Sequence, residues 1–572
     1  MKRLNLKFFK RFWAIAQLYW WSNEKWRALG LLALLIVLLV IYTQLNVTIN
    51  TQQGEIFSAL ADKNLKRFWN SIFTFLGVLI IYVPLFTGFY YCQDKLGLYW
   101  RQWLTHRFLN EYFSNKSYYK INYFTSEIDN PDQRITEDIR SFTLSSLNYC
   151  LLILQSVFTV IAFSVVLWKF SPSLVFFLLI YGVFGVLITT GIYGNKLIKI
   201  NFEQLRKEAD FRFGLVRIRE NAESIAFYGG EEREINQLKE LFKRVFDNYN
   251  RLIIWTNLYL GMFQNIYEFI PYILPAVIVA PSVLSGQFEV GAVREAQGAF
   301  LKIFYSLNII VSEFQNLTSF AAGVDRLYTF HEYLEPTPTE KRREIIPRPT
   351  IDTIEANRLG IEHLTLETPN YQRTLFQDLS ISLQPGQGLL VMGASGCGKS
   401  SLLRAIAGLW KSGTGAIYRP KLEEIFFLPQ RPYMILGTLR EQLLYPNIDL
   451  DISNQKLEEI LQMVKLGDLA ERFGGFELEK DWSVLLSLGE QQRVAFARLL
   501  ISRPKYAILD EATSALDIGN EKNLYEHLLE TETTFISVGH RPSLSQYHQL
   551  ILEFLEGERW ELRPSNPGTQ II

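Results

Sequence analysis

The sequence predicts an α-helical membrane domain of six spans followed by a C-terminal α/β domain of the P-loop type. Three observations predict it. Long stretches of the first half carry no charged residue. A short proline-rich, charged segment then interrupts the chain, and beyond it a glycine-rich phosphate-loop pattern follows an apolar strand.

The chain has 572 residues, with 58 Lys+Arg against 58 Asp+Glu, so its formal net charge is zero. That balance gives no bulk attraction to nucleic acid. Hydrophobic residues make up 48% and charged residues 20%, which excludes intrinsic disorder. Cys92, Cys150 and Cys397 are too few and too scattered for a disulfide framework or a cysteine zinc site.

Residues 28–54, 68–93, 141–168 and 170–195 contain no Asp, Glu, Lys or Arg, and 252–288 contains only Glu268. A sixth run, about 296–320, carries Lys302 and Glu313. A spanning helix needs about 20 mostly apolar residues and must satisfy its backbone internally. The expected spans are 28–50, 68–92, 143–168, 171–195, 257–283 and 297–320 within a membrane domain of residues 1–334. Segments 1–27, 94–140 and 196–251 hold 7, 7 and 12 basic residues, against 3, 1 and 1 in 50–67, 169–173 and 285–297. The positive-inside rule therefore places the N-terminus in the cytoplasm. The N-terminal run lacks a small-residue cleavage site and flows into a full span, unlike a signal peptide. Leu4–Trp21 mixes lysine and arginine with aromatics, the pattern of an interfacial helix. The inside loops are 47 and 56 residues long and rich in helix formers. They read as membrane helices continued into the cytoplasm and closed by short turns. Lys302 and Glu313, 11 residues apart, would share one face if the last span were a single helix.

Residues 335–353 read EPTPTEKRREIIPRPTIDT, a linker by its prolines and charges. From 354 to 572 short β-type runs (Gly388–Met392, Ile425–Leu428, Tyr506–Leu509) alternate with helical stretches (Ser400–Leu409, Glu490–Ile501).

Gly393–Ser400, GASGCGKS, fits GxxxxGK[ST] between a strand and a helix. Its glycines let backbone N–H groups point at phosphate oxygens, and the helix N-terminus adds a favourable dipole. Gly393, Ala394, Ser395 and Gly396, with Cys397, Gly398 and Ser401, form the expected cradle. Lys399 would reach the terminal phosphates and Ser400 a Mg²⁺ ion. Lys505–Asp517, KYAILDEATSALD, is an apolar strand ending in Asp510, placed for Mg²⁺, and Glu511, placed to polarise a water. LSLGEQQR (486–493) lies between them, Gln430 follows Ile425–Leu428, and His540 follows Thr534–Val538. Alone, Gln430 and His540 would read as structural.

Together, in order and spacing, these segments resemble the nucleotide-binding domain of ABC proteins. The resemblance implies a Walker A loop at 393–400, a Q-loop at Gln430 and a signature at 487–491. It further implies Walker B at 506–511, a D-loop at Ser514–Asp517 and a switch histidine at His540. It gives Glu511, His540 and Gln430 catalytic roles, Ser400, Gln430 and Asp510 to Mg²⁺, and Ser487, Gly489 and Glu490 to ATP held by a second copy. Leu488 and Glu490 depart from the common LSGGQ, whereas Ser487 and Gly489 keep it. An aromatic stacking on adenine is expected upstream, with Tyr371 the candidate and nearby Phe376 a core residue. Asn130–Ile135 (NPDQRI), Arg219–Gly230 (RENAESIAFYGG) and Gln430–Pro446 (QRPYMILGTLREQLLYP) resemble the peroxisomal fatty-acyl half-transporters of the D subfamily. They equally resemble bacterial SbmA/BacA-like transporters of cobalamin or peptides, and Trp21–Leu32 fits that bacterial branch.

The resemblance implies an exporter-type ABC fold in a lipid bilayer, the bacterial inner membrane, working as an ATP- and Mg²⁺-dependent homodimer. The substrate would be a small molecule, a peptide or a lipid-like compound, not a nucleic acid. An ATP-gated channel or regulator, and a purely ion-driven transporter, stand as alternatives. The tips of the two inside loops, near Asn130–Glu137 and Ala222–Gly230, are expected to meet the ATPase domain.

Overall fold

The computed structural model describes residues 6–124, 128, 130–309, 313–335 and 349–565. The chain divides into two compact units, Met1–Arg342 and Arg343–Ile572. Most of the expected linker, 336–348, lies outside the described residues.

The first unit is helical. Its principal helices are α1 (Leu6–Trp20), α2 (Lys25–Ala61), α3 (Leu65–Phe113), α4 (Ile139–Phe170) and α5 (Pro172–Ile188). They continue with α6 (Asn195–Glu220), α7 (Glu231–Ile253), α8 (Gly261–Leu284), α9 (Gly291–Leu307) and α10 (Phe314–Leu334). Five helical stretches among the described residues are long and apolar enough to cross a membrane: Lys25–Ala61, Leu65–Tyr123, Pro131–Phe170, Pro172–Gly194 and Glu231–Leu284. They contain four of the first five expected spans and match the remaining one, 171–195, to within one residue at each end. The sixth, 297–320, includes residues 310–312, which lie outside the described residues.

Asn308 caps α9 outside helical geometry and Glu313 caps α10, so Lys302 and Glu313 belong to different helices. The single-helix premise that put them on one face is corrected by these two caps. Lys302 Nζ lies 3.4 Å from Asn46 Oδ1, and Glu313 accepts from Asn316 Nδ2 at 2.8 Å.

The helices outrun the bilayer, as the inside loops suggested. α3 is 49 residues long, about 73 Å at 1.5 Å per residue. α6 and α7 form a hairpin in which buried Asn248 Nδ2 donates to Ile200 O and Gln204 Oε1. A short helix, Ala222–Tyr228, closes it and ends on Gly229, whose φ of +60° suits glycine. The NPDQRI segment is only partly a tip. Arg134, Ile135 and Asp138 are buried, with Arg134 Nη1 donating to Arg326 O and Arg326 paired to Asp138.

Helix α1 packs much of its aromatic face on protein. Phe8, Ile15, Ala16 and Tyr19 are buried, Tyr19 stacks on Trp100 at 5.7 Å, and Arg11 pairs with Asp325. Phe9 and Trp13 remain exposed. Helices α2 and α9 meet along small and polar residues, which let two backbones approach closely in an apolar medium. A Cβ on Gly291 would collide with Gly54 O. Gly291 N donates to Ser58 Oγ, Asn50 Nδ2 to Glu295 O, and Thr51 Oγ1 to Glu295 Oε1. At one end of this seam Arg67 pairs with Glu55, Asp62 and Glu289 at 2.6–2.9 Å.

The second unit is α/β. A four-stranded sheet has the order β1-β5-β2-β3, with β1 Asp352–Glu355, β2 Leu359–Glu367, β3 Thr374–Leu383 and β5 Gly413–Arg419. A six-stranded sheet has the order β12-β11-β4-β10-β9-β6. Its strands are β4 Gly388–Gly393, β6 Ile425–Leu428, β9 Tyr506–Asp510, β10 Thr534–Val538, β11 Leu550–Phe554 and β12 Trp560–Pro564. All its pairings are parallel except β11 with β12. β7 (Leu436–Gly437) and β8 (Lys480–Asp481) form a small antiparallel pair. The main helices are α11 (Lys399–Ile406), α12 (Leu488–Ser502) and α13 (Ile518–Leu529).

Alternation along β4 explains why its sequence is continuously apolar. Leu389 and Val391 enter one core beside the four-stranded sheet, and Leu390 enters another beside α12 and α13. Ile508 against Ala507 and Leu509 divides β9 in the same way.

His548 sits in the second core between Tyr525 and Phe535, its Nδ1 bonded to Leu544 O and its Nε2 buried without a partner. Burial pushes its imidazole down from 6.5 to about 4. The folded state then resists a proton that the unfolded chain takes up below about 6.5, so stability falls as the pH drops from there toward 4, by up to about 1.4 kcal/mol per unit. Thermal unfolding of the second unit, followed in the full-length protein between pH 7 and pH 4.5, should show this loss, and His548→Gln should flatten it.

Candidate active site

The C-terminal ends of the parallel strands carry the polar residues. β4 delivers Gly393, after which Ala394, Ser395, Gly396 and Cys397 lead to Gly398, the N-cap of α11. Gly393, Gly396 and Gly398 have φ of +139°, +79° and +108°, a region that L side chains rarely adopt. The loop is also crowded, since a Cβ on Gly398 would lie 3.2 Å from Leu375 Cβ. Lys399 is buried, and its Nζ donates to Gly393 O and Ala394 O, both at 2.8 Å, folding over the loop. Ser401 follows Ser400 in the first turn of α11.

β9 ends beside this loop. Ser400 Oγ donates to Asp510 Oδ1 at 3.0 Å. Burial raises the Asp510 carboxyl above the ordinary aspartate range, against the Ser400 hydrogen bond, which lowers it. A hydroxyl beside a half-buried carboxylate is a hard oxygen pair of the kind that Mg²⁺ prefers, and these two residues fit such an ion.

Glu511 takes a φ of +47°, and its N–H donates to Val538 O at the end of β10. Its two carboxylate oxygens are bracketed. Gln430 Nε2 donates to Oε2 at 2.7 Å, and His540 Nε2 lies 3.3 Å from Oε1. Gln430 thus reaches Glu511 here rather than the Ser400–Asp510 pair.

Sequence reasoning passed over the residue that ties these loops together. Gln492 is fully buried. Its Nε2 donates to Gln430 O at 3.0 Å and Ser514 Oγ at 3.2 Å, and its Oε1 accepts from Ala515 N at 3.1 Å. The QQ pair of LSLGEQQR was the available signal. Buried Glu521 is a second such post, receiving Thr513, Ser543 and Arg541, while Arg541 also donates to Leu516 O and Ser514 O. The neighbour of His540 thereby holds the 514–517 loop.

Ser487, Gly489 and Glu490 open α12. Ser487 is its N-cap in a reciprocal capping box with Glu490, and Arg472 pairs with Glu490 at 2.8 Å. Burial opposes ionisation of Glu490, but the Arg472 and Ser487 hydrogen bonds prevail and hold its carboxyl below the usual range. Gly489 is close-packed, since a Cβ there would lie 3.2 Å from Ala515 O. Among the described residues no hydrogen bond or ion pair joins 487–490 to 393–401. Tyr371 takes a φ of +57°, and its hydroxyl donates to Pro349 O at 3.1 Å. Phe376 is a core residue, stacked on Phe554 at 4.8 Å.

Comparison with known proteins agrees with both units. The family described as ABC transporter transmembrane region 2 matches residues 15–284, and the ABC transporter family matches residues 376–514. An uncharacterized ABC transporter ATP-binding protein of Synechocystis sp. is 46% identical over 95% of this chain and 83% of its own length. The chloroplastic ABC transporter D family member 2 of Arabidopsis thaliana is 39% identical, covering 95% and 86%. The human lysosomal cobalamin transporter ABCD4 is 31% identical, covering 98% and 97%. The chain belongs to the ABC transporter family, with a multi-span membrane region and an ATP-hydrolysing ABC domain in one polypeptide that serves transport.

Proposed function

We propose that two copies of this chain form a primary active transporter that moves a small molecule, a peptide or a lipid-like compound across a bacterial inner membrane. One observation carries the reading. The Ser400–Asp510 pair and the Gln430–Glu511–His540 cluster lie at neighbouring strand ends of one sheet, an arrangement suited to turnover rather than to nucleotide binding alone. A channel or regulator on this fold needs no such complete set.

In this mechanism the backbone N–H groups of 394–401 and the dipole of α11 hold the phosphates of ATP. Lys399 leaves its carbonyl partners for the terminal phosphates. Ser400 and Asp510 would hold Mg²⁺, joined by Gln430 once its amide turns from Glu511, and the ion would neutralise charge on the phosphates. Glu511 orients the attacking water and accepts its proton, and His540 fixes the Glu511 carboxylate. Ser487, Gly489 and Glu490 of each copy close over the nucleotide of the other, and Tyr371 flanks the base. Each chain has one phosphate loop and one signature, so a complete site requires two chains. Six spans per chain, including 297–320, supply half of the pathway. The lysine and arginine asymmetry of the loops supports a cytoplasmic N-terminus and ATPase domain.

The human and mouse ABCD4 relatives carry cobalamin by name, and the peptide and lipid-like classes follow from the motif resemblance. Half-buried Glu268 sits within an otherwise uncharged span. A charge at mid-bilayer costs about 2.5–3.5 kcal/mol, so we assign Glu268, with Lys302 and Glu313, to the water-filled pathway.

ATP hydrolysis by the reconstituted protein, with and without candidate cargo, tests the reading. Stimulation by cargo accompanied by vectorial uptake is expected, and passive flux independent of hydrolysis would favour the channel. Glu511→Gln should preserve ATP binding and cut turnover by about 10²-fold or more, whereas Lys399→Ala should weaken binding itself, as nucleotide titration and phosphate release will show. Native mass measurement in nanodiscs should give twice the 66.5 kDa chain, and a functional monomer would contradict the dimer. Glu268→Gln should impair transport while leaving basal ATP hydrolysis largely intact.

A further inference from the structure

The ends of α3 and α10 meet at a cluster that the transport cycle does not use. Glu111 lies in the last turn of α3, His331 in the last turn of α10, and Glu335 caps α10. One ligand atom from each lies within 4.8 Å of the others.

A second, independent observation concerns what these atoms bind. Glu111 Oε2 and His331 Nδ1 are both shut off from solvent, and neither has a hydrogen-bond partner. They face each other at 3.8 Å. That separation is too long for a hydrogen bond. It is close to the spacing of about 3.4 Å between two ligands that each lie about 2.1 Å from a tetrahedral ion. The two atoms have only each other, at ion-pair rather than hydrogen-bond distance, and a cation between them would serve both.

We propose that Glu111, His331 and Glu335 bind a first-row transition-metal ion of the zinc type. The donor set, one imidazole and two carboxylates, suits Zn²⁺, Co²⁺ or Ni²⁺, whereas Mg²⁺ and Ca²⁺ favour oxygen alone. Exposed Glu335 provides the entry path and closes in from within 4.8 Å to complete three protein ligands, leaving a fourth position for water. Arg107 completes the surroundings. Its Nε donates to Glu111 Oε1 at 2.6 Å and its Nη2 to the Glu335 carboxylate at 3.1 and 3.2 Å. It occupies the outer oxygen of Glu111 and orients both carboxylates, leaving Glu111 Oε2 for the ion. Two carboxylates and one guanidinium leave one net negative charge for a divalent cation to offset. The Phe108 ring packs beside the imidazole, with centroids 5.9 Å apart. The ion would staple the end of α3 to the end of α10. This inference does not rest on the transport reading.

The test uses the tag-free, full-length protein in detergent, stripped with a chelator and titrated with Zn²⁺ against a chromophoric competitor. One ion per chain is expected, not displaced by excess Mg²⁺, with a Co²⁺ form whose visible spectrum is tetrahedral. His331→Gln and Glu335→Gln should each weaken binding by more than about tenfold. His106→Gln, at an exposed position of α3, should leave it unchanged. Glu335 is exposed, so Glu335→Gln reads binding without a folding defect. Absence of a stoichiometric ion, binding indifferent to both ligand substitutions, or displacement by Mg²⁺ would overturn the assignment.

Discussion

The parallel register of β4, β10, β9 and β6 is the constraint on which the second unit depends. Val391 pairs with Val538, Val538 with Asp510, and Leu428 with Leu509, so four strands end at one level. Because parallel strands share a direction, their C-terminal ends gather the loops that follow them at one edge. Segments from residue 393 to residue 540 therefore converge although they are far apart in sequence. The Glu511 N–H bond to Val538 O is the ladder's last rung, and it fixes the carboxylate between Gln430 and His540. Shifting one strand by a residue would turn its side chains to the opposite face and dissolve both cores and the site together.

The membrane unit obeys a different constraint. In lipid every backbone group must be satisfied within its helix, so uncharged runs become helices, and prolines such as Pro271, Pro275 and Pro281 survive inside α8. Apolar side chains gain little by leaving lipid, and cohesion passes to close approach and hydrogen bonds. The seam of α2 and α9 uses both, through Gly54 against Gly291 and through Asn50, Thr51 and Ser58. Outside the spans the unit reverts to ordinary packing, as with Tyr19 on Trp100 and the Asn248 bonds within the α6–α7 hairpin.

These differences explain what was legible in the sequence. Five spans were readable because absence of charge over 20 residues is a local signal. Strands β4, β6 and β9 of the six-stranded sheet were readable because they are short, continuous apolar runs. The phase of Lys302 and Glu313 was not, because no residue pattern announces that α9 ends at Leu307. The tip expected near Asn130–Glu137 is partly buried, because Arg134 within it and Asp138 beside it find partners on α10, about 190 residues away. Gln492 and Glu521 escaped notice for the same reason. Each earns its role from partners distant in sequence, and a buried glutamine or glutamate has no periodicity of its own. The glycines of the 393–400 loop follow from its backbone, which takes positive φ at 393, 396 and 398.

The central claim is that this one sheet edge receives the phosphates of ATP and the metal that accompanies them. Amide hydrogen exchange of the full-length protein, with and without MgATP, tests it most directly. Protection should appear at the N–H groups of 394–401 and around 510–511, and be lost when Mg²⁺ is removed from the second segment first. Unchanged exchange in both segments at saturating MgATP would contradict the account.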